Sequence, residues 1–141
     1  MNWIRSRRWA ALALLLALCA ALCGCGARTP DAARVSLDGA AWNGETVSPA
    51  AGGLRVYVAL DGKALIDLPF DEAHTVAVTQ PDGAENVIEL TGASVYMNRA
   101  NCENQDCVEM GAVTADNLEI RALGGFIVCL PHRLSVEVRE P

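Results

Sequence analysis

The side chains best equipped for chemistry in this 141-residue chain are three cysteines and a histidine toward its C-terminal end. Cys102 and Cys107 bracket a polar loop, Glu103-Asn104-Gln105-Asp106, and Cys129 precedes His132 with Leu130 and Pro131 between them. Three kinds of chemistry fit these residue types. A disulfide between Cys102 and Cys107, or one that takes Cys129 as a partner instead, would be structural, and closing so short a loop contributes about 2 kcal/mol on a chain-entropy estimate. A metal site using Cys102, Cys107, Cys129 and His132 is the second. Thiolate and imidazole suit zinc, although the first pair sits at the wide end of the usual ligand gap. The third is thiol–disulfide exchange, with Cys129 attacking or resolving a bond between the other two. No lysine flanks these cysteines and no helix start is evident beside them, so nothing nearby would lower a thiol pKa. His74 stands alone ahead of a strand-like run and reads as a surface or turn histidine.

Which chemistry applies depends on the redox compartment, and the N-terminus speaks to that. Arg5, Arg7 and Arg8 form a basic opening, and Ala10 to Leu22 is an unbroken Ala/Leu-rich apolar run, the pattern of a secretory signal. The run closes on Leu22-Cys23-Gly24-Cys25, which is similar to a bacterial lipobox: an aliphatic residue three before a cysteine and a small residue just before it. Cys25 is therefore the expected lipidation site and residues 1–24 the lipoprotein signal. Cys19 and Cys23 follow Leu18 and Leu22, which are too bulky for that position. The alternatives are a plain cleaved signal or a retained anchor, since Trp9 to Ala27 carries no charge and just reaches spanning length. All three readings put the remaining chain on the extracytoplasmic face of the cell membrane, where disulfides persist and free thiolates are disfavoured. A Cys102–Cys107 disulfide is the expectation that follows.

Beyond residue 24 the chain holds eight basic and seventeen acidic side chains, a formal charge of −9. Nucleic-acid affinity comes mainly from Lys and Arg neutralising phosphates, so a nucleic-acid partner is excluded. Membrane contact is expected through the lipid only, and the remaining partner class is another extracytoplasmic protein.

The elements that must position these residues read as strands and tight turns. Residues 25–53, rich in Ala, Gly, Pro, Ser and Thr, read as the lipidated cysteine and a flexible tether, with Val35, Leu37 and Trp42 scattered and Trp42 able to dock back. From Leu54 the pattern takes period two. Residues 54–68 read as a hairpin turning at Asp61-Gly62, followed by strands at 75–79, 86–90 and 93–97. Two more strands are predicted around 108–113 and 118–122, then Phe126–Leu130 and Leu134–Val138. This is an all-β pattern: one small antiparallel sandwich or barrel-like domain over 54–141. No Gly-rich phosphate loop, nucleophile elbow or apolar-set carboxylate pair is present. The reading is accordingly a non-enzymatic module without a cofactor.

Several stretches together resemble one family. They are Tyr57-Val58-Ala59-Leu60-Asp61-Gly62-Lys63, the strand pair over 86–97, Cys102 to Cys107-Val108, Gly111-Ala112-Val113, and Ile127-Val128-Cys129-Leu130-Pro131-His132. The family is the one named for domain II of the transcription factor NusG, and the resemblance covers about residues 54–139. Glu103 and Gln105 stand where that family usually has proline and a basic residue. The resemblance implies a small all-β domain and an exported, membrane-attached protein of unassigned role. It does not imply transcription, since an exported acidic domain does not meet RNA polymerase.

Overall fold

A computed structural model describes residues 32–44 and 53–141. The expected signal, Cys25 and residues 45–52 lie outside them. Among the described residues no helix is long and apolar enough to cross a membrane.

Among the described residues ten strands run in chain order: β1 (Arg34–Leu37), β2 (Ala40–Ala41), β3 (Arg55–Leu60), β4 (Lys63–Pro69), β5 (Ala73–Thr79), β6 (Glu85–Thr91), β7 (Ser94–Ala100), β8 (Val113–Thr114), β9 (Phe126–Cys129) and β10 (Leu134–Arg139). A four-residue helix, α1 (Asp106–Glu109), sits between β7 and β8. The strands form two antiparallel sheets, one ordered β2-β1-β5-β6-β7-β8 and the other β4-β3-β10-β9. The all-β expectation holds.

Alternation builds the core. In β5, Val76 and Val78 are fully buried while Thr75 and Ala77 are half-buried. The same period two places Val56 and Val58 of β3, and Val136 of β10, in a single apolar cluster fed by both sheets. The hairpin turn of β3 and β4 falls where expected: Asp61 and Gly62 have φ of 50° and 74°, the left-handed pair of a two-residue loop.

One irregularity matters for the site. The β6–β7 register slips between Val87 and Ile88, which pair with Arg99 and Met97 respectively, so Asn98 is an extra residue in β7. A bulge of this kind changes which parity faces inward. Val95 and Met97 point into the core before it, and Ala100 and Cys102 are the buried residues after it.

Two expectations are corrected. The tether is not unstructured throughout: β1 pairs with β2 and with β5, Val35 lying opposite Val78 and Leu37 opposite Val76. Val35, Leu37 and Trp42 pack against the core, and the Trp42 amide donates to the Val35 carbonyl at 2.8 Å. A strand this short is stabilised by its β5 partner, distant in sequence, which local pattern does not reveal.

Nor do strands occupy 108–112 and 118–122; only Val113 of the first stretch is in a strand, at the start of β8. Gln105 adopts φ 56°, and the amides of Val108 and Glu109 donate to its carbonyl, winding α1. Further on, Asn117 Oδ1 accepts the Thr114 amide and its Nδ2 donates to the Ala112 carbonyl, which ends β8 in a 3-10 turn over Ala115–Asn117. Side-chain bonds to the local backbone outcompete a ladder here.

Candidate functional site

The bulge in β7, the turn of α1 and the end of β9 bring three cysteines together. Cys102 follows β7, Cys107 lies in α1, which packs against β7 and β9, and Cys129 closes β9. Their sulfurs all lie within 4.8 Å of one another, and the three residues are 4%, 1% and 1% exposed.

Gln105 holds the loop in place. Its Nε2 donates to the Ala100 carbonyl at 2.9 Å and to the Cys102 carbonyl, and it stands 3.9 Å from Cys102 Sγ. Cys107 is central in the cluster. Burial pushes its thiol up to about 12, helped by hydrogen bonds with the Cys129 and Cys102 thiols. A thiol so held stays protonated at neutral pH and is a poor nucleophile.

The sequence-expected site residues part company at this point. Cys102 and Cys107 Sγ are 3.6 Å apart, whereas a disulfide needs about 2.05 Å, so all three cysteines are free thiols in this structure. Cys129, read as a lone core thiol beside a disulfide, is instead a full member of the cluster.

His132 is not a member. Its ring is buried and its Nδ1 lies 2.8 Å from Asn86 Oδ1. An amide oxygen only accepts, so the proton sits on Nδ1. Asn86 in turn donates from Nδ2 to Met97 Sδ, and Gln80 donates to the His132 carbonyl at 2.8 Å. This is a satisfied structural histidine, and the four-ligand set reduces to three sulfurs. Asn86 and Gln80 escaped the sequence reading because nothing local ties them to a residue about fifty positions away. His74 also has a structural place. Its Nδ1 and Nε2 meet the carboxylates of Asp38 and Glu72 at 2.8 and 3.2 Å.

A groove opens beside the sulfurs, with a volume of about 380 Å³. Cys107 and Cys129 form part of its floor, and Met110, Leu123, Val128 and Leu130 line it. Leu123 and Leu130 are 49% and 77% exposed, and nearby Ile120 is 83% exposed. The wall carrying Leu123 is fixed by Arg121, whose guanidinium donates to the carbonyls of Met110, Ala112 and Gly124 at 3.0–3.1 Å. Five guanidinium donors suit this role, bracing irregular backbone that lacks a ladder.

A family model described as NusG domain II matches residues 12–141. The chain is similar in structure to the Lin0431 protein of Listeria innocua, with a TM-score of 0.53 and 22% identity, over 62% of this chain and 97% of that one. It is similar also to a DUF1312 family protein of Enterococcus faecalis, with a TM-score of 0.53 and 24% identity, over 61% of this chain and 95% of that one. At these identities the likeness shows the fold. No curated protein matches the chain.

Proposed function

We propose, from the premise that this chain belongs to the NusG domain II family, that it is an extracytoplasmic lipoprotein, anchored through Cys25, whose β domain is a non-enzymatic module docking a partner protein. The observation that carries the docking role is the apolar groove, with Leu123 and Leu130 left open to water at its rim. Contiguous exposed apolar surface on a small acidic domain marks an interaction site. The lipobox-like Leu22-Cys23-Gly24-Cys25 supports the anchor.

The test has two parts. Intact mass of the protein from its host should show a diacylglycerol on Cys25 as the new N-terminus, and Cys25→Ala should release the domain from the membrane fraction. A photo-crosslinking residue at position 130 should yield one discrete adduct in cells, lost with Leu123→Glu, whereas the same probe at the distant Ala93 should yield none. An unlipidated N-terminus would sink the anchor, and no adduct at 130 would sink the docking role.

A second reading has one observation in its favour, the three close thiols: a metal or redox domain, linked to membrane electron transfer, in place of a docking module. Its exchange form would move a disulfide among Cys102, Cys107 and Cys129. Its metal form would hold one ion among the same three sulfurs.

A further inference from the structure

The sulfur–sulfur separations suit one metal ion better than any bond between the sulfurs. Three thiolates around an ion at about 2.3 Å are roughly 3.8 Å apart in a tetrahedral site and roughly 4.0 Å apart in a trigonal one. The Cys102–Cys107 separation of 3.6 Å, and a cluster contained within 4.8 Å, correspond to those edges after small adjustments. A disulfide would require the same pair to close by more than an ångström. The donors are also of one chemical kind. His132 is held by Asn86, and among the described residues no carboxylate or imidazole joins the three sulfurs in the group.

We infer that Cys102, Cys107 and Cys129 form a three-thiolate site for a thiophilic d10 metal ion, with its open position facing the apolar groove. Soft sulfur donors select Cu(I) and Zn(II) over Mg, Ca or Mn, which take oxygen. The supporting shell is in place: Gln105 Nε2 stands 3.9 Å from Cys102 Sγ and fixes the loop by its bonds to two carbonyls. Such outer contacts orient ligands and stabilise thiolate charge. Cys107 and Cys129 also line the groove, so an ion held by all three sulfurs has a side from which a fourth, exogenous ligand can enter. A closed structural site lacks that opening. Binding releases the thiol protons to solvent and involves no change of oxidation state. The inference deepens the second reading above, rests on the sulfur geometry and does not depend on the anchor.

The experiment uses the full chain in detergent, with Cys19, Cys23 and Cys25 replaced by alanine so that three thiols remain. Reduced protein is titrated anaerobically with Zn(II) and, separately, with Cu(I) against a chromophoric competitor, and the loaded forms are read by X-ray absorption. The expected result is one ion per chain, three sulfurs at about 2.3 Å, and an upward shift in thermal midpoint. Zn(II) should show one additional light-atom ligand and Cu(I) none, which tells the two ions apart. Cys129→Ala should weaken binding about 100-fold or more, beyond the 10–100-fold typical of an outer-shell change, and His132→Gln should leave the sulfur count at three. Should Cys129→Ala fail to fold, the absorption spectrum of the unaltered cysteine cluster decides alone. Failure of both ions to bind at one per chain overturns the inference. So does a histidine ligand in the absorption spectrum, or an intact mass from the host showing two of the three thiols already oxidised to a disulfide. That last result would favour the exchange reading.

Discussion

Asn86 and His132 join the two sheets through one buried hydrogen bond of 2.8 Å, between β6 and the loop that leads into β10. Asn86 is fully buried, so removing its amide strands the His132 Nδ1 proton without water. Asn86→Ala should lower unfolding free energy by about 2–3 kcal/mol, seen as a reduced urea midpoint at unchanged slope. Substituting Gln105 by alanine removes donors to two carbonyls at the mouth of the cysteine loop. His132 also shows where residue-type reasoning stops. Cysteine and histidine at ligand-like spacing suggested a shared site, and three of the four residues do converge. What separates the fourth is a partner 46 positions away, and no spacing within the motif carries that information. Cys102 was equally opaque, because the bulge at Asn98 reverses the inward parity just before it.

Among the elements, β1 is attached to the body by more than its ladder. Asp38, at the β1–β2 turn, accepts the Thr75 amide and faces His74 of β5. The Thr75 amide and His74 hold the Asp38 carboxyl below its usual value. Partial burial acts to lower the His74 pKa, but hydrogen bonds to Asp38 and Glu72 outweigh it and leave the value raised. A raised histidine pKa stabilises the fold below the ordinary value near 6.5 and loses that contribution as pH climbs through the raised one. A lowered aspartate pKa contributes above about 3.8 and is lost as pH falls through its folded value. Attachment of β1 should therefore be strongest between about pH 4 and 6.5. The thermal midpoint should be higher at pH 5.5 than at pH 8.5, and Asp38→Asn should flatten that difference. Both carboxylates are half exposed, so solvent screening keeps the effect small.

Among the described glycines, Gly125 leaves the least room for a side chain. A Cβ on Gly125 would fall 2.1 Å from the Val138 carbonyl oxygen, against which β9 is pinned by the Val138 amide. Gly125→Ala should cost about 3 kcal/mol or unfold β9, read as loss of its slow-exchanging amides. The strands were legible wherever alternation ran five residues or more, as in 55–60, 75–79 and 134–138. Residues 106–122 were not, since Val108 and Met110 mimic period two while Gln105 and Asn117 turn the backbone away from it.

For the whole molecule, the family and the all-β class could be read from the motifs and the alternation, whereas the N-terminal boundary could not. The body takes in β1 and β2, so a chain beginning at residue 54 leaves the β5 edge bare and uncovers the apolar surface under Val35, Leu37 and Trp42. Compared with a chain beginning at residue 32, it should melt at a lower temperature and self-associate as concentration rises, measurable by light scattering.

The place of β10 bears on when this body can form. Its residues, 134–139, lie between β3, about eighty positions earlier, and β9, and pair with both. Synthesis proceeds from the N-terminus, so β3 lacks its β10 partner along that edge until residues 134–139 have emerged. The smaller sheet therefore closes through a pairing that spans about eighty positions of sequence, a slower step than zipping the local β3–β4 hairpin.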